Sequence, residues 1–158
     1  MYKNILVPVD GSELAECVLP HVESVAKGCG VGNIIFIRVV EPFRPPALGD
    51  DQGYTYGPEE LEKIDIENGV AAERYLNKLM GRVKYDGIPV RTEVLRGGRA
   101  ADMIADYATK GEVDLIIMST HGRSGVSRWV LGSVADRIVR SSCVPVLMVR
   151  APGCFPGI

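Results

Sequence analysis

Five apolar, β-branched runs dictate the layered architecture open to this chain: Ile5–Val9, Ile34–Val40, Val90–Leu95, Leu115–Met118 and Val146–Val149. Each is nearly continuous in hydrophobicity instead of alternating, the pattern of strands covered on both faces. Helical periodicity fills the gaps, over Glu13–Lys27, Glu59–Val83, Ala100–Ala108 and Val134–Val139. Strand–helix alternation along the whole chain predicts βαβ units around a parallel sheet. Right-handed crossovers make that a doubly wound α/β sandwich with helices on both faces. Gly28, Gly30 and Gly32 stop the first helix, Gly81 and Gly87 mark the exit of the second, and Gly111 follows the third. Asn68-Gly69 falls inside the second helical pattern and marks a place to kink or split it.

Composition narrows the function classes. With 46% hydrophobic and 24% charged residues, the 158-residue chain is no disordered segment, and it has the size of one ordinary domain. A net charge of −2 argues against a strongly basic nucleic-acid binder. No apolar run approaches the roughly 20 residues that span a bilayer. The opening Met1-Tyr2-Lys3-Asn4-Ile5-Leu6-Val7 lacks the pattern of a signal peptide, so a cytoplasmic protein without a membrane partner is expected. Cys17, Cys29, Cys143 and Cys154 form no C-x-x-C pair, and with only His21 and His121 as histidines a Cys/His zinc site would need scattered residues to converge. They read as partly buried free thiols. Charge is uneven, −5 over residues 1–95 and +3 over residues 96–158, a weak pointer to an anionic ligand in the second half. The Pro- and Gly-rich stretch Pro42–Gly57 is a long loop, either a disordered excursion or a flap over a site. The tail Ala151–Ile158 is expected to be flexible beyond a single domain over residues 1–150.

Ligands of doubly wound sheets bind beyond the carboxyl ends of the strands, where strand order reverses. Two segments leave such ends. Pro8-Val9-Asp10-Gly11-Ser12 follows the first strand, and Met118 to Ser133 follows the fourth. The second is rich in Gly, Ser, Thr and Arg and longer than the about 2–6 residues of ordinary βα loops. Gly122, Gly125 and Gly132, with Ser119, let backbone approach a ligand closely. Gly132-Ser133-Val134 opens a helix whose unpaired amides and dipole suit a phosphate. Thr120, Ser124 and Ser127 add neutral donors, and Arg123 or Arg128 a charge. The bland alternative is a glycine-rich connection capped by Ser133 with solvated arginines. Neither a P-loop nor a Rossmann fingerprint occurs; Gly28-Cys29-Gly30-Val31-Gly32 ends a helix where the latter would begin one. Gly97-Gly98 reads as a tight turn.

These residues resemble the nucleotide-binding universal stress proteins. That family carries Gly-x-x-Gly, nine residues, then Gly-Ser/Thr after its fourth strand. Here Ser119-Thr120-His121-Gly122 is followed by nine residues, Arg123 to Leu131, and by Gly132-Ser133. The resemblance extends to Ile5-Leu6-Val7-Pro8-Val9-Asp10-Gly11-Ser12 and to Ser142-Cys143-Val144-Pro145-Val146-Leu147-Met148-Val149, and spans Met1 to Arg150. One position departs, Ser119 in place of the first glycine, which puts the ribose-facing contact in question.

The resemblance implies a sheet in the order 3-2-1-4-5, of the adenine nucleotide alpha hydrolase-like kind, with ATP or another adenine nucleotide between the first and fourth strands. Position by position it implies that Pro8, Val9, Asp10 and Ser12 line one wall. Val39 and Val40 flank adenine, Met118 and Ser119 approach adenine and ribose, and Gly122, Arg123, Gly132, Ser133 and Val134 hold phosphates. Gly125 belongs to the same loop. Asp10 beside a triphosphate calls for an intervening Mg²⁺ or Mn²⁺; a turn or capping role competes with that one. His121 positions the loop or touches phosphate and is no catalytic base. His21 is expected on the surface, Trp129 under the loop, and Arg96 and Arg99 in solvent. A homodimer through Val144–Val149 is further implied, since an unpaired apolar edge is a liability.

The leading expectation is therefore an ATP-binding regulatory or stress-response protein. Slow ATP hydrolysis or autophosphorylation is the enzymatic alternative, although no base or late lysine is evident. A nucleotide-free dimeric scaffold is the third reading, and the retained Gly122 and Gly132-Ser133 argue against it.

Overall fold

A computed structural model of the protein describes residues 2–45, 56–121 and 131–150. Five strands form one parallel sheet: β1 (Asn4–Pro8), β2 (Asn33–Val40), β3 (Val90–Arg96), β4 (Leu115–Ser119) and β5 (Val146–Val149). Their order is β3-β2-β1-β4-β5, as the resemblance implies. The helices are α1 (Glu13–Glu16), α2 (Leu19–Cys29), α3 (Pro58–Met80), α4 (Ala100–Lys110) and α5 (Ser133–Ser141).

The continuous apolar runs are explained by cover on both faces. Ile5, Val7, Ile34, Phe36 and Ile117 face α2 and α3, packing on Val18, Val22, Ala26, Leu76 and Leu79. Their neighbours Leu6, Ile35, Ile37, Ile116 and Met118 face α4 and α5, packing on Ile104, Ala108, Ala135 and Ile138. Successive side chains point to opposite faces, so a strand walled on both sides needs an apolar residue at every position. Each of these side chains contributes about 2 kcal/mol by leaving water. The edge strands β3 and β5 are more exposed than β1 and β4.

Two expectations about helices are corrected. The single helix over Glu13–Lys27 is two helices, with the break at Cys17–Val18. Pro20 is the cause: it lacks the amide an uninterrupted helix needs, but fits the first turn of a new one. Asn68-Gly69 splits nothing, and α3 runs unbroken for 23 residues. Gly69 is buried because the Arg96 guanidinium lies across it, in the space a Cβ would fill. Arg96 also pairs with Glu73 at 2.8 Å, so it is held, not simply solvated.

β1 and β4 are tied at their starts. The Asp114 carboxylate accepts the amides of Lys3 at 2.7 Å and Asn4 at 2.8 Å, and the Asp114 amide donates to Asn4 O at 2.9 Å. These bonds hold the Asp114 carboxyl below its usual range, the Asn4 amide contributing most. The register fixed here, Ile5 opposite Leu115, carries through to the other ends of the strands. There Pro8 and Ser119 deliver their loops side by side.

Candidate functional site

A cavity of about 220 Å³ opens at the carboxyl ends of β1 and β4, the point where the strand order reverses. Pro8, Val9 and Asp10 reach it from β1, and Met118, Ser119, Thr120 and His121 from β4. Ile37 and Val39 of β2 with Ala100 and Ile104 of α4 form an apolar wall. Gly132, Ser133, Val134 and Ala135, the first turn of α5, form the wall opposite in character.

That first turn is a donor surface. Asp136 N donates to Gly132 O at 2.8 Å, the first intrahelical bond, so the amides of Ser133, Val134 and Ala135 have no acceptor inside the helix. The cap is Gly132, which has no side chain to accept them. Partial positive charge is left at the cavity wall. α4 differs: the Ala100 amide already donates to Glu41 Oε1 at 2.6 Å, so a carboxylate occupies that helix start.

The turn after β4 is held by its own backbone. Thr120 N donates to Val149 O at 2.9 Å and Gly132 N to Thr120 O at 2.9 Å. The Ser119 hydroxyl donates to His121 O, and His121 Nδ1 lies 3.0 Å from Thr120 Oγ1. Ser119 and Thr120 are buried polar residues. Gly132 has a reason independent of any ligand: a Cβ there would lie 2.9 Å from Thr120 O. Serine at position 119 is accommodated because its hydroxyl turns onto the chain it precedes.

The turn after β1 is built on Asp10. Its Oδ1 accepts from Ser12 N at 2.9 Å and from Ser12 Oγ at 2.7 Å. Ser12 Oγ in turn accepts from Ala15 N at 3.1 Å and caps α1. Ser12 is therefore committed to the helix and does not line the cavity, against expectation. Val40 does not line it either. Alternation along β2 puts Ile37 and Val39 on the cavity side and turns the next residue away.

Pro8, Val9, Asp10, Val39, Met118, Ser119, His121, Gly132, Ser133 and Val134 are thus brought around one cavity. Gly122, Arg123 and Gly125 lie outside the described residues, as does Trp129. Sequence reasoning missed Ala15, Ile37, Ala100, Ile104 and Ala135. The i, i+4 spacing of Ala100 and Ile104 on one face of α4 was the available signal. His21 is exposed on α2 as expected, and Arg99 pairs with Asp102 at 3.3 Å. Cys17 and Cys29 are half-buried and in no disulfide among the described residues, whereas Cys143 is exposed.

A cation arriving with a ligand would meet Asp10. Among the described residues no three His, Cys, Asp or Glu side chains are grouped to hold a metal. One carboxylate suits an ion that keeps most of its shell as phosphate oxygens and water, as Mg²⁺ does. A second, larger cavity of about 400 Å³ lies between Glu41, Phe43, Arg44, Asn68, Gly97 and Arg99. It sits at the ends of β2 and β3, away from the reversal of strand order, and borders the helix start that Glu41 already fills.

No helix among the described residues is long and apolar enough to cross a membrane. The universal stress protein family model matches residues 1–150. A universal stress protein of Methanocaldococcus jannaschii is 32% identical over 154 residues, covering 96% of this chain and 84% of that protein. The solved structure of the universal stress protein UspA from Lactobacillus plantarum is 25% identical with a TM-score of 0.77, over 94% of this chain and 98% of that one. Two more distant structures share the fold. A universal stress protein in complex with cAMP is 19% identical with a TM-score of 0.55, covering 95% of this chain and 98% of that one. An Arabidopsis thaliana family protein with AMP bound is 14% identical with a TM-score of 0.57, covering 96% and 93%. The sheet order, the loops leaving β1 and β4 and the match over residues 1–150 agree: the chain belongs to the universal stress protein family.

Proposed function

We propose that this protein binds an adenine nucleotide, ATP together with Mg²⁺ or Mn²⁺, and acts as a cytoplasmic, nucleotide-dependent regulator in a stress response. The observation that carries the reading is the pairing, in one cavity, of an apolar wall with a helix start whose amides are uncapped. A purine fits against Val39, Ile37 and Ile104, where its faces displace water from apolar side chains. Phosphates fit the α5 start, where three amides supply hydrogen bonds and the dipole supplies charge. The family relatives with cAMP and AMP support the same ligand class. Gly122 and Arg123, between His121 and α5 in the sequence, are assigned to the phosphates, Gly125 to the same nucleotide, and His121 to positioning that segment or touching phosphate.

Asp10 stands beside this phosphate seat. Its carboxylate and a triphosphate repel unless a divalent cation lies between them, and Asp10 would then supply one oxygen to the ion. Binding the ligand and its transition state equally well does not speed chemistry, so a seat built for holding suits a binding role better than turnover. Pairing of two copies through β5 is part of the proposal, since β5 is an edge strand with Leu147 37% exposed.

Calorimetric titration with ATP tests the reading. One site per chain is expected, with affinity that falls on chelating divalent ions. Asp10→Asn keeps an acceptor for Ser12 but lowers the charge, so the divalent dependence should drop about tenfold, equivalent to about 1.4 kcal/mol. Absence of heat with ATP, ADP and AMP would overturn the nucleotide reading.

A further inference from the structure

Arg38 is the one charged side chain that the fold buries among the described residues, at 9% exposed. Desolvating a guanidinium costs several kcal/mol, and every neighbouring position of β2 is filled by an apolar side chain. Ile37 and Val39 face the cavity, so Arg38 projects to the opposite side of the sheet, behind the site. There its Cζ lies 5.2 Å from the centre of the Tyr75 ring, a cation–π contact. Tyr75 is itself held: its hydroxyl donates to Glu16 Oε1 at 3.0 Å, and Glu16 Oε2 pairs with Arg82 at 2.7 Å.

The guanidinium also meets the loop that carries Asp10. Gly11 has φ +88°, a conformation that favours glycine, and a Cβ built there would lie 3.2 Å from Arg38 Nη1 and 3.4 Å from Cζ. Backbone at Gly11 therefore rests against the planar cation. Arg38, anchored through Tyr75 to α1 and α3, packs against this turn at Gly11, and Asp10, the residue before it, borders the cavity.

We infer that Arg38 is a positioning residue for the nucleotide site: stacked on Tyr75 and set against Gly11, it fixes from behind the sheet the turn that presents the Asp10 carboxylate. The inference rests on the nucleotide reading for its consequence. Asp10 serves the metal and the outer phosphates, so Arg38 governs the affinity for Mg²⁺·ATP and leaves that for AMP nearly unchanged. Loss of a group that orients a metal-binding carboxylate costs about 10–100-fold in metal affinity. A merely structural arginine would weaken both ligands alike.

Arg38→Met, which keeps the length but not the charge or plane, is compared with the parent in two ways. Hydrogen exchange of the ligand-free protein at Val9–Ala15 should quicken, while exchange in the β4 core stays slow. The ratio of Mg²⁺·ATP to AMP affinity, by calorimetry, should fall about tenfold or more. Tyr75→Leu removes the platform without touching β2, and should move both readouts in the same direction by a smaller amount. It serves also if Arg38→Met fails to fold. Unchanged exchange at Val9–Ala15 in the folded variants would overturn the inference, as would an unchanged affinity ratio. If the parent protein binds neither nucleotide, the nucleotide reading fails, and the exchange readout alone then decides whether Arg38 holds the turn.

Discussion

Tyr85 is 5% exposed and stacks on Phe36 with ring centroids 6.4 Å apart, yet its hydroxyl has no hydrogen-bond partner among the described residues. Burial, with a smaller contribution from Glu23, pushes that hydroxyl up to about 12. A buried donor without a partner keeps its desolvation cost and returns nothing. Tyr85→Phe should therefore leave stability unchanged or raise it by about 1 kcal/mol, read from the urea midpoint; a clear loss would mean the hydroxyl is bonded. Asp114 makes the opposite case. Its carboxyl is held low by the Asn4 and Lys3 amides, so it is charged in the folded state at lower pH than in the unfolded chain. The stability it contributes is complete above the ordinary value of 3.8 and is lost as pH falls through the lower folded value. Asp114→Asn should be less stable than the parent at pH 7, and the gap should close below pH 3.8. At this scale the sequence was partly legible. Asp10 and Gly132 declared themselves by position, but their neighbours did not. An arginine inside an apolar strand gives no sign of what it rests on, and Glu41 sits 59 residues from the Ala100 amide it accepts.

Helix punctuation was readable only where the cause was local. The break between α1 and α2 had its signal in Pro20, which periodicity over Glu13–Lys27 masked. The continuity of α3 through Asn68-Gly69 had none, because the reason is the Arg96 side chain on a strand crossing beneath it. α5 was legible as a helix start because Gly132-Ser133 follows a long connection from β4, and its uncapped amides are the element that the functional account depends on. Ser133→Pro probes them directly. Proline is favoured at the first position of a helix, where the missing amide has no intrahelical partner. Gly132, at φ −57° and ψ 145°, already has the extended backbone that a residue before proline requires. The fold should be kept while the Ser133 amide and hydroxyl donors are both lost, so ATP affinity is expected to fall about tenfold or more with the melting temperature within a few degrees. Unchanged affinity would remove α5 from the site. Gly132→Val is a poorer test, because a side chain there strikes Thr120 O whether or not a ligand binds.

Across the whole molecule, apolar runs covered on both faces announced a parallel sheet, and the family resemblance supplied the order in which the strands lie. The cavity between the ends of β1 and β4 was implied by that resemblance; its apolar wall was not, since Ile37, Ala100 and Ile104 are far apart in the chain and meet only in the folded sheet. β5 leaves an exposed apolar edge, and two copies joined there would weigh twice the 17.1 kDa of the chain. Light scattering should find that mass, and Leu147→Lys should halve it; a parent protein of monomer mass would remove the proposed pairing. The central claim is most directly tested by a titration of the ¹⁵N-labelled protein with Mg²⁺·ATP, followed by amide chemical shifts. The largest changes are expected at Val9–Ser12, at Ser119–His121 and at the α5 amides of Ser133, Val134 and Ala135. Shifts confined to Glu41–Arg44 and Gly97–Arg99, the second cavity, or no shifts at saturating nucleotide, would contradict the account.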